Sequence, residues 1–209
     1  MRMAAVLLPL LASGQAFAQE PAGTKLSIQQ GGREIGREEF TLGGERGRGP
    51  SSLHALARYP ANSPTLRLNA KLDRTPELAL AKFQLEVESP RGNTVILAAG
   101  SGARLIIRTV AKGSEAGREL PGGPDVVLLD DGVYSLYLAV ADLATPAGKP
   151  LTAVFPRAAR RASFVARREP GGNQVTLTGG IRGTLVTDAQ GLVSLVLPDS
   201  DTRVSRVQD

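Results

Sequence analysis

The sequence contains no cysteine and no tryptophan, and its single histidine is His54. Without cysteine the chain has to fold without disulfides, and neither a thiolate nucleophile nor a cysteine-ligated zinc site can be built. Catalytic arrangements that use a histidine base have one candidate only. Because His54 alternates with Leu53 and Ala55, we interpret it as a solvent-facing strand residue, with a base or ligand role as the alternative.

Long apolar runs are also missing. No segment reaches the roughly 20 residues that a membrane span needs, so we expect no membrane span. The short run Ala4–Ala12 follows a basic start and precedes Ala16-Phe17-Ala18, which is the pattern of a cleaved signal peptide. A buried N-terminal helix is the alternative. We therefore expect residues 1–18 to be removed, residues 19–209 to form a single β-rich domain, and the protein to be periplasmic or secreted.

Motifs for metal, cofactor or nucleic-acid chemistry are scarce. The acidic pairs Asp130/Asp131 and Asp199/Asp201 lack the spacing of a calcium loop, and a helix cap and a turn account for them. The basic stretch Arg157–Arg168 carries one aromatic residue, where nucleic-acid binding requires several for stacking. A pair of strands whose arginines face solvent explains this basic stretch better than a surface patch that binds a polyanion. We predict no catalytic residue, metal, cofactor or nucleic-acid partner. The alternative is a glycosidase whose catalytic carboxylates come together from distant strands.

Apolar and polar residues alternate along most of the chain. Every second residue is apolar from Leu66 to Leu72, and residues 83–88 alternate in the same way. Successive strand side chains point to opposite faces, so this pattern predicts half-buried antiparallel strands. Turn residues separate most of the further candidates, which are Thr24–Gln30, Glu34–Leu42, Ser52–Tyr59, Asn93–Ala99, Ala103–Val110, Leu151–Phe155, Ala162–Arg168, Gln174–Thr178, Arg182–Thr187, Leu192–Leu197 and Arg203–Val207.

One segment has helical spacing instead. Val133, Leu136, Tyr137 and Val140 recur at i, i+3, i+4 and i+7, Asp130 or Asp131 precedes them as a cap, and Pro146 follows. We predict a mostly apolar helix over Val133–Leu143, with a strand over Val133–Val140 as the alternative. The predicted fold is mainly β: a curved antiparallel sheet, a half-barrel or barrel meander, with this helix across its concave face.

The stretch "GGREIGREEF" (31–40) carries three glycines in six residues. A phosphate-binding loop needs a helix directly after such glycines, and no helical stripe follows here. We predict that Gly31-Gly32 form a tight hairpin turn and that Gly36 marks a bend or bulge in the second strand. That bend would let Ile35 and Phe40, an odd number of residues apart, both face inward.

Three stretches resemble a group of uncharacterised exported bacterial proteins. They are the opening pattern at Gly32, Ile35, Gly36 and Phe40, the run "VVLLDDGVYSLYL" (126–138), and the closing pattern at Asp188, Gly191 and Pro198. Those proteins are similar in architecture to the LolA-type periplasmic lipoprotein carriers. The resemblance implies a curved sheet that cups a hydrophobic cavity under a helical lid, and it assigns no functional residue to this chain.

Two functional hypotheses follow. The first is an exported soluble binding or carrier protein of the bacterial periplasm that holds an acyl or lipid-like group, free or on a lipidated protein, in the half-barrel. Its ligand-cavity candidates are Val133, Leu136, Tyr137 and Val140, because they face an apolar sheet. The alternative is a non-catalytic envelope interaction module with a packed interior and partners at its rim or edge strands.

Overall fold

The computed structural model describes residues 23–44 and 51–207. The predicted signal peptide lies outside the described residues. Within these described residues there are fifteen strands, one short α-helix and two 3-10 turns. The strands are β1 Thr24–Gln30, β2 Arg33–Gly43, β3 Ser51–Tyr59, β4 Leu66–Arg74, β5 Leu80–Glu88, β6 Thr94–Ser101, β7 Arg104–Ala111, β8 Ser114–Pro121, β9 Val126–Leu128, β10 Lys149–Phe155, β11 Arg160–Arg168, β12 Gln174–Gly179, β13 Gly183–Asp188, β14 Gly191–Leu197 and β15 Thr202–Arg206.

All fifteen strands belong to one curved, open sheet. Their spatial order is β8-β7-β6-β5-β4-β3-β2-β1-β15-β14-β13-β12-β11-β10-β9, so the first and last strands pair near the middle. Every pairing is antiparallel except that of β9 with β10, where the intervening helical segment provides the crossover that a parallel pair needs. The predicted mainly β fold with a curved antiparallel sheet is confirmed.

Alternation places the core on one face of the sheet. Leu68, Ala70 and Leu72 of β4 are buried, whereas Arg67 and Lys71, which alternate with them, are exposed. The other central strands repeat this pattern, and the inward side chains join one continuous apolar cluster. Leu, Val, Ile and Ala dominate that cluster, as the low aromatic content predicts.

The helical segment lies against this inner face. A 3-10 turn (Tyr134–Leu136) leads into α1 (Tyr137–Leu143), which contacts β11 and β13. The helix prediction is confirmed, and the strand alternative over Val133–Val140 is wrong. The segment is apolar on all sides, and residues 133–141 are all buried. A core helix of this kind covers the concave face of a curved sheet.

The prediction missed β8, which forms one edge of the sheet. Most of its residues are exposed, and it carries Glu115, Arg118 and Glu119 instead of an alternating apolar row. Charged residues on an edge strand discourage pairing with other chains, but they also remove the periodic signal by which a strand is detected.

The opening hairpin has the predicted form. Gly31 and Gly32 adopt φ angles of 57° and 74° in its turn. The register between β1 and β2 shifts after Ile28, which pairs with Gly36, while Gln29 pairs with Glu34. Ile35 is the extra residue of this β-bulge, and it packs against the core. The predicted bulge is therefore confirmed.

Gly36 has a second role, which is to leave room for a tyrosine ring. A Cβ atom at position 36 would lie 2.3 Å from Cε1 of Tyr59 and 3.0 Å from the carbonyl oxygen of Arg58. We expect Gly36→Ala to lower the free energy of unfolding by about 2 kcal/mol, because the ring has to move within a packed core. Urea denaturation followed by circular dichroism measures this loss.

Gly117→Ala is the matched control for this substitution. Gly117 is also a strand glycine, but the nearest atom to its added Cβ is a carbonyl oxygen 4.0 Å away. The control should change stability by less than about 0.5 kcal/mol. Equal effects of the two substitutions would contradict the packing role of Gly36.

Candidate functional site

The four ligand-cavity candidates lie together in the core. Val133, Leu136 and Val140 have no exposed surface, and Tyr137 is 3% exposed. They belong to the same apolar cluster as the inward side chains of the sheet. The part of the inner face that carries them is thus occupied by the helical segment itself.

Glu38 of β2 anchors the start of this segment. Its Oε2 accepts a hydrogen bond from the backbone N–H of Tyr134 (2.7 Å), and its Oε1 accepts one from the N–H of Ser135 (3.0 Å). A carboxylate suits this place, since the first N–H groups of a helix have no partner within it. The cap predicted from Asp130 or Asp131 is therefore wrong, because the capping carboxylate comes from a distant strand.

Burial dominates the electrostatics of Glu38. The side chain is 2% exposed, and this burial raises the pKa of Glu38 to about 7, although hydrogen bonds from Ser135 and Tyr134 lower it. The nearby charge of Asp130 raises the pKa further. Glu38 therefore holds a proton over part of the neutral range, a state that its position in the acidic stretch "REEF" does not suggest.

Asp130 organises the turn before the helix. Its Oδ1 accepts a hydrogen bond from the N–H of Gly132 (2.9 Å), and Arg157 binds both of its oxygens, at 2.6 and 2.8 Å. The hydroxyl of Tyr59 donates to the carbonyl oxygen of Gly132 (2.8 Å). We call these five residues, Glu38, Tyr59, Asp130, Gly132 and Arg157, the helix anchor.

The helix anchor joins two of the three resemblance stretches. Glu38 comes from the opening stretch and Asp130 from the stretch 126–138, and the fold brings the two stretches together. Both carboxylates are 2% exposed, and all four of their oxygens accept hydrogen bonds from the protein. Glu38 and Asp130 are thus engaged in holding the turn and helix.

The tyrosines around the helix anchor share its apolar environment. Burial raises the pKa of Tyr134 to about 12, and it raises the pKa values of Tyr59 and Tyr137 above the usual range. Tyr134 donates its hydroxyl hydrogen to the carbonyl oxygen of Asp131 (3.0 Å). All three phenols therefore remain protonated at neutral pH, and those of Tyr59 and Tyr134 act as hydrogen-bond donors.

The far end of the helix is held by arginines from two strands. Arg168 of β11 donates to the carbonyl oxygens of Ala141 and of Ala144, the latter at 3.3 Å. Arg74 of β4 forms a buried ion pair with Asp142. Cations stabilise the C-terminal end of a helix, where carbonyl groups lack partners. Charged side chains from β2, β4 and β11 therefore hold both ends of the helical segment.

A pocket of about 280 Å³ opens at one rim of the sheet, and we call it the rim pocket. It lies between the β4–β5 turn, the β6–β7 turn and the connector that leads to β9. Its lining is mainly apolar and glycine-rich, and Arg104 is its one charged residue. The complete lining is Thr75, Ala79, Leu80, Gly100, Gly102, Arg104, Leu105, Gly122, Gly123, Pro124 and Val126.

No family model, curated protein or solved structure matches this chain. The resemblance to exported half-barrel proteins therefore stays a prediction.

His54 lies on the outer face of the sheet, as predicted for a solvent-facing strand residue. Its Nε2 is 2.8 Å from Oδ1 of Asn69, whose amide nitrogen donates to Glu86 (3.1 Å). These contacts cross β3, β4 and β5.

Within residues 23–44 and 51–207, no group of three or more His, Cys, Asp or Glu side chains is placed to hold a metal ion.

Arg157, Arg160 and Arg168 of the basic stretch have structural partners. Arg157 and Arg168 make the contacts described above. Arg160 binds Asp131 at 2.6 Å, and its guanidinium lies 3.4 Å from the centre of the Phe155 ring. These contacts favour the interpretation of this stretch as part of the fold over that of a polyanion patch.

As for the bilayer, the described portion of the chain has no helix of sufficient length and apolarity to cross one.

Proposed function

We propose that this protein is an exported, non-enzymatic binding or carrier protein that holds a small apolar group in the rim pocket. The observation that supports the proposal is the pocket itself, where the inner-face side chains Leu80 and Leu105 meet Pro124 and Val126 of the connector. Apolar walls with a single charged residue at the opening are what an acyl-like group requires.

The size of the rim pocket limits its ligand. A volume of about 280 Å³ lies near the lower end of the range for small-molecule sites. Part of an acyl chain or a short branched apolar group suits this space better than a whole lipid. Arg104 is well placed for a polar head group, since its side chain is 61% exposed and only weakly paired with Glu119, at 3.8 Å.

Binding of a fluorescent fatty acid tests this proposal. We expect saturable binding by the wild type, and native mass spectrometry of protein purified from its own host should show a co-purifying apolar molecule. Ala79→Trp places a large side chain in the lining and should weaken probe binding roughly tenfold, which corresponds to about 1.4 kcal/mol.

Ala61→Trp is the matched control for the pocket variant, because Ala61 lines a groove on the outer face of the sheet. It should bind the probe as the wild type does. A ligand-free mass together with no probe binding by the wild type would exclude the carrier proposal.

A second candidate function is a non-catalytic interaction module with a packed interior. The complete burial of Val133, Leu136 and Val140 favours it, because the helix then fills the concave face for structural reasons. A partner would then bind at the rim of the sheet, away from the charged edge strand β8. This candidate predicts the ligand-free mass, so the same experiment separates the two functions.

A further inference from the structure

A second, much smaller cavity lies between β3, β4 and α1. Its volume is about 20 Å³. Leu53 of β3, Leu72 of β4 and Leu138 of α1 form apolar walls, while Ser51, Arg74 and Asp142 contribute polar groups. The cavity therefore lies beside the ion pair that holds the helix to β4.

Two of its polar groups have no protein partner. The Arg74 side chain is 8% exposed, and one of its terminal nitrogens, Nη2, binds Asp142. Its other terminal nitrogen, Nη1, and the hydroxyl oxygen of Ser51 are both buried without a hydrogen-bond partner. Ser51 and Arg74 lie directly opposite each other on β3 and β4, so a single small molecule in the cavity can reach both.

The physical cost of such groups points to an occupant. A buried donor without an acceptor is strongly unfavourable, and native proteins satisfy such groups with protein atoms or ordered water. A cavity needs about 10–15 Å³ to hold one water molecule, which this cavity exceeds. Asp142 already neutralises Arg74, so a halide ion would bring an uncompensated charge into an apolar surrounding.

We propose that this cavity binds a single water molecule. The water accepts a hydrogen bond from Nη1 of Arg74 and shares one with Oγ of Ser51. It thereby connects β3 to the Arg74–Asp142 pair and, through that pair, to the helix. This inference is independent of the proposed function, since it concerns a different cavity.

A crystal structure tests the site directly, with one crystal soaked in bromide. We expect density for one water within hydrogen-bond distance of both Nη1 of Arg74 and Oγ of Ser51, and no anomalous bromide peak there. An empty cavity would overturn the proposal. A bromide peak would also overturn it, because the site would then select an anion.

Ser51→Ala gives an independent measurement in solution. If the hydroxyl binds the water, its removal should raise the equilibrium constant for unfolding about fivefold, the effect of losing one hydrogen bond. If the hydroxyl has no partner, its removal should leave that constant unchanged or lower it, and this result would overturn the proposal. Ser205→Ala is the matched control, since Ser205 is an exposed strand serine of β15 that does not line the cavity; it should stay within twofold of the wild type.

Discussion

Replacing Leu136 with Glu is expected to lower the free energy of unfolding by more than about 4 kcal/mol, or to prevent folding. Leu136 has no exposed surface and lies where the 3-10 turn meets α1. A carboxyl group at this position would lie in the apolar core, and its ionised form has no partner there. Chemical denaturation followed by circular dichroism measures the loss.

Two comparison variants identify the cause of this effect. Leu136→Ala should cost about 2–5 kcal/mol, since it leaves a cavity without introducing a charge. Leu97→Glu introduces the same side chain on the outer face, where Leu97 is 36% exposed, and should change stability by less than about 1 kcal/mol. A Leu136→Glu protein as stable as the wild type would mean that the helix does not cover the inner face.

The second large effect concerns pH. The pKa of Glu38 is about 7 in the folded protein, compared with an ordinary value of 4.5. Because the folded state binds the proton more tightly, the contribution of Glu38 to stability is complete below pH 4.5 and is lost as the pH rises through 7. A difference of about 2.5 pH units corresponds to about 3 kcal/mol. We therefore expect Glu38 to make the protein less stable at pH 8 than at pH 5.

The groups around Glu38 do not obscure this dependence. Asp130 is paired with Arg157, and Tyr59 and Tyr134 have raised pKa values, so these phenols stay protonated throughout the window. Carboxyl groups whose pKa values are lowered in the folded state, which are those of Glu34, Glu169 and Asp188, lose their contribution only as the pH falls below their ordinary values of 4.5 and 3.8. The slope between pH 4.5 and pH 7 thus reports mainly on Glu38.

Glu38→Gln removes the titrating group and should flatten this part of the stability profile. The adjacent residue provides the control: Glu39 is exposed on the outer face, and Glu39→Gln should keep the slope of the wild type. Urea denaturation at a series of pH values provides the comparison. Parallel profiles for the wild type and Glu38→Gln would contradict a raised pKa at Glu38.

Much of the fold could be predicted because half-buried strands impose their period on the sequence. The alternation is regular from Leu66 to Leu72 in β4 and from Phe83 to Glu88 in β5, and Gly36 indicated the bulge at Ile35 correctly. β8 escaped prediction because an edge strand exposed to solvent has no apolar face to maintain. Pattern analysis detects burial, so it finds strands only where one face is buried.

The site was less accessible to prediction, because charged residues are assumed to face solvent. A signal for Glu38 was nevertheless present. Glu38 lies two residues before Phe40 in the same strand, so the two side chains point to the same, inward face. Arg74 and Arg168 carry the same signal, because they continue the inward series that ends at Leu72 in β4 and at Ala166 in β11, but the alternation does not identify their partners. Their partners are side-chain or backbone atoms of a helix distant in sequence, and only the folded chain brings them together.

The spatial order of the strands is a cyclic rotation of their order along the chain. Starting from β9, the sheet runs through β15, continues with β1 and ends at β8. Every neighbouring pair is consecutive in sequence except β1 with β15, where Leu26 lies opposite Arg206. In a circular permutant opened between β8 and β9, every strand would therefore pair with its neighbour in sequence, as a meander from β10 onward preceded by the parallel β9–β10 crossover, and the lower contact order would favour faster folding. In the native chain, the β1–β15 pairing joins two halves of the sheet, β1–β8 and β9–β15, and within each half every strand pairs with its neighbour in sequence.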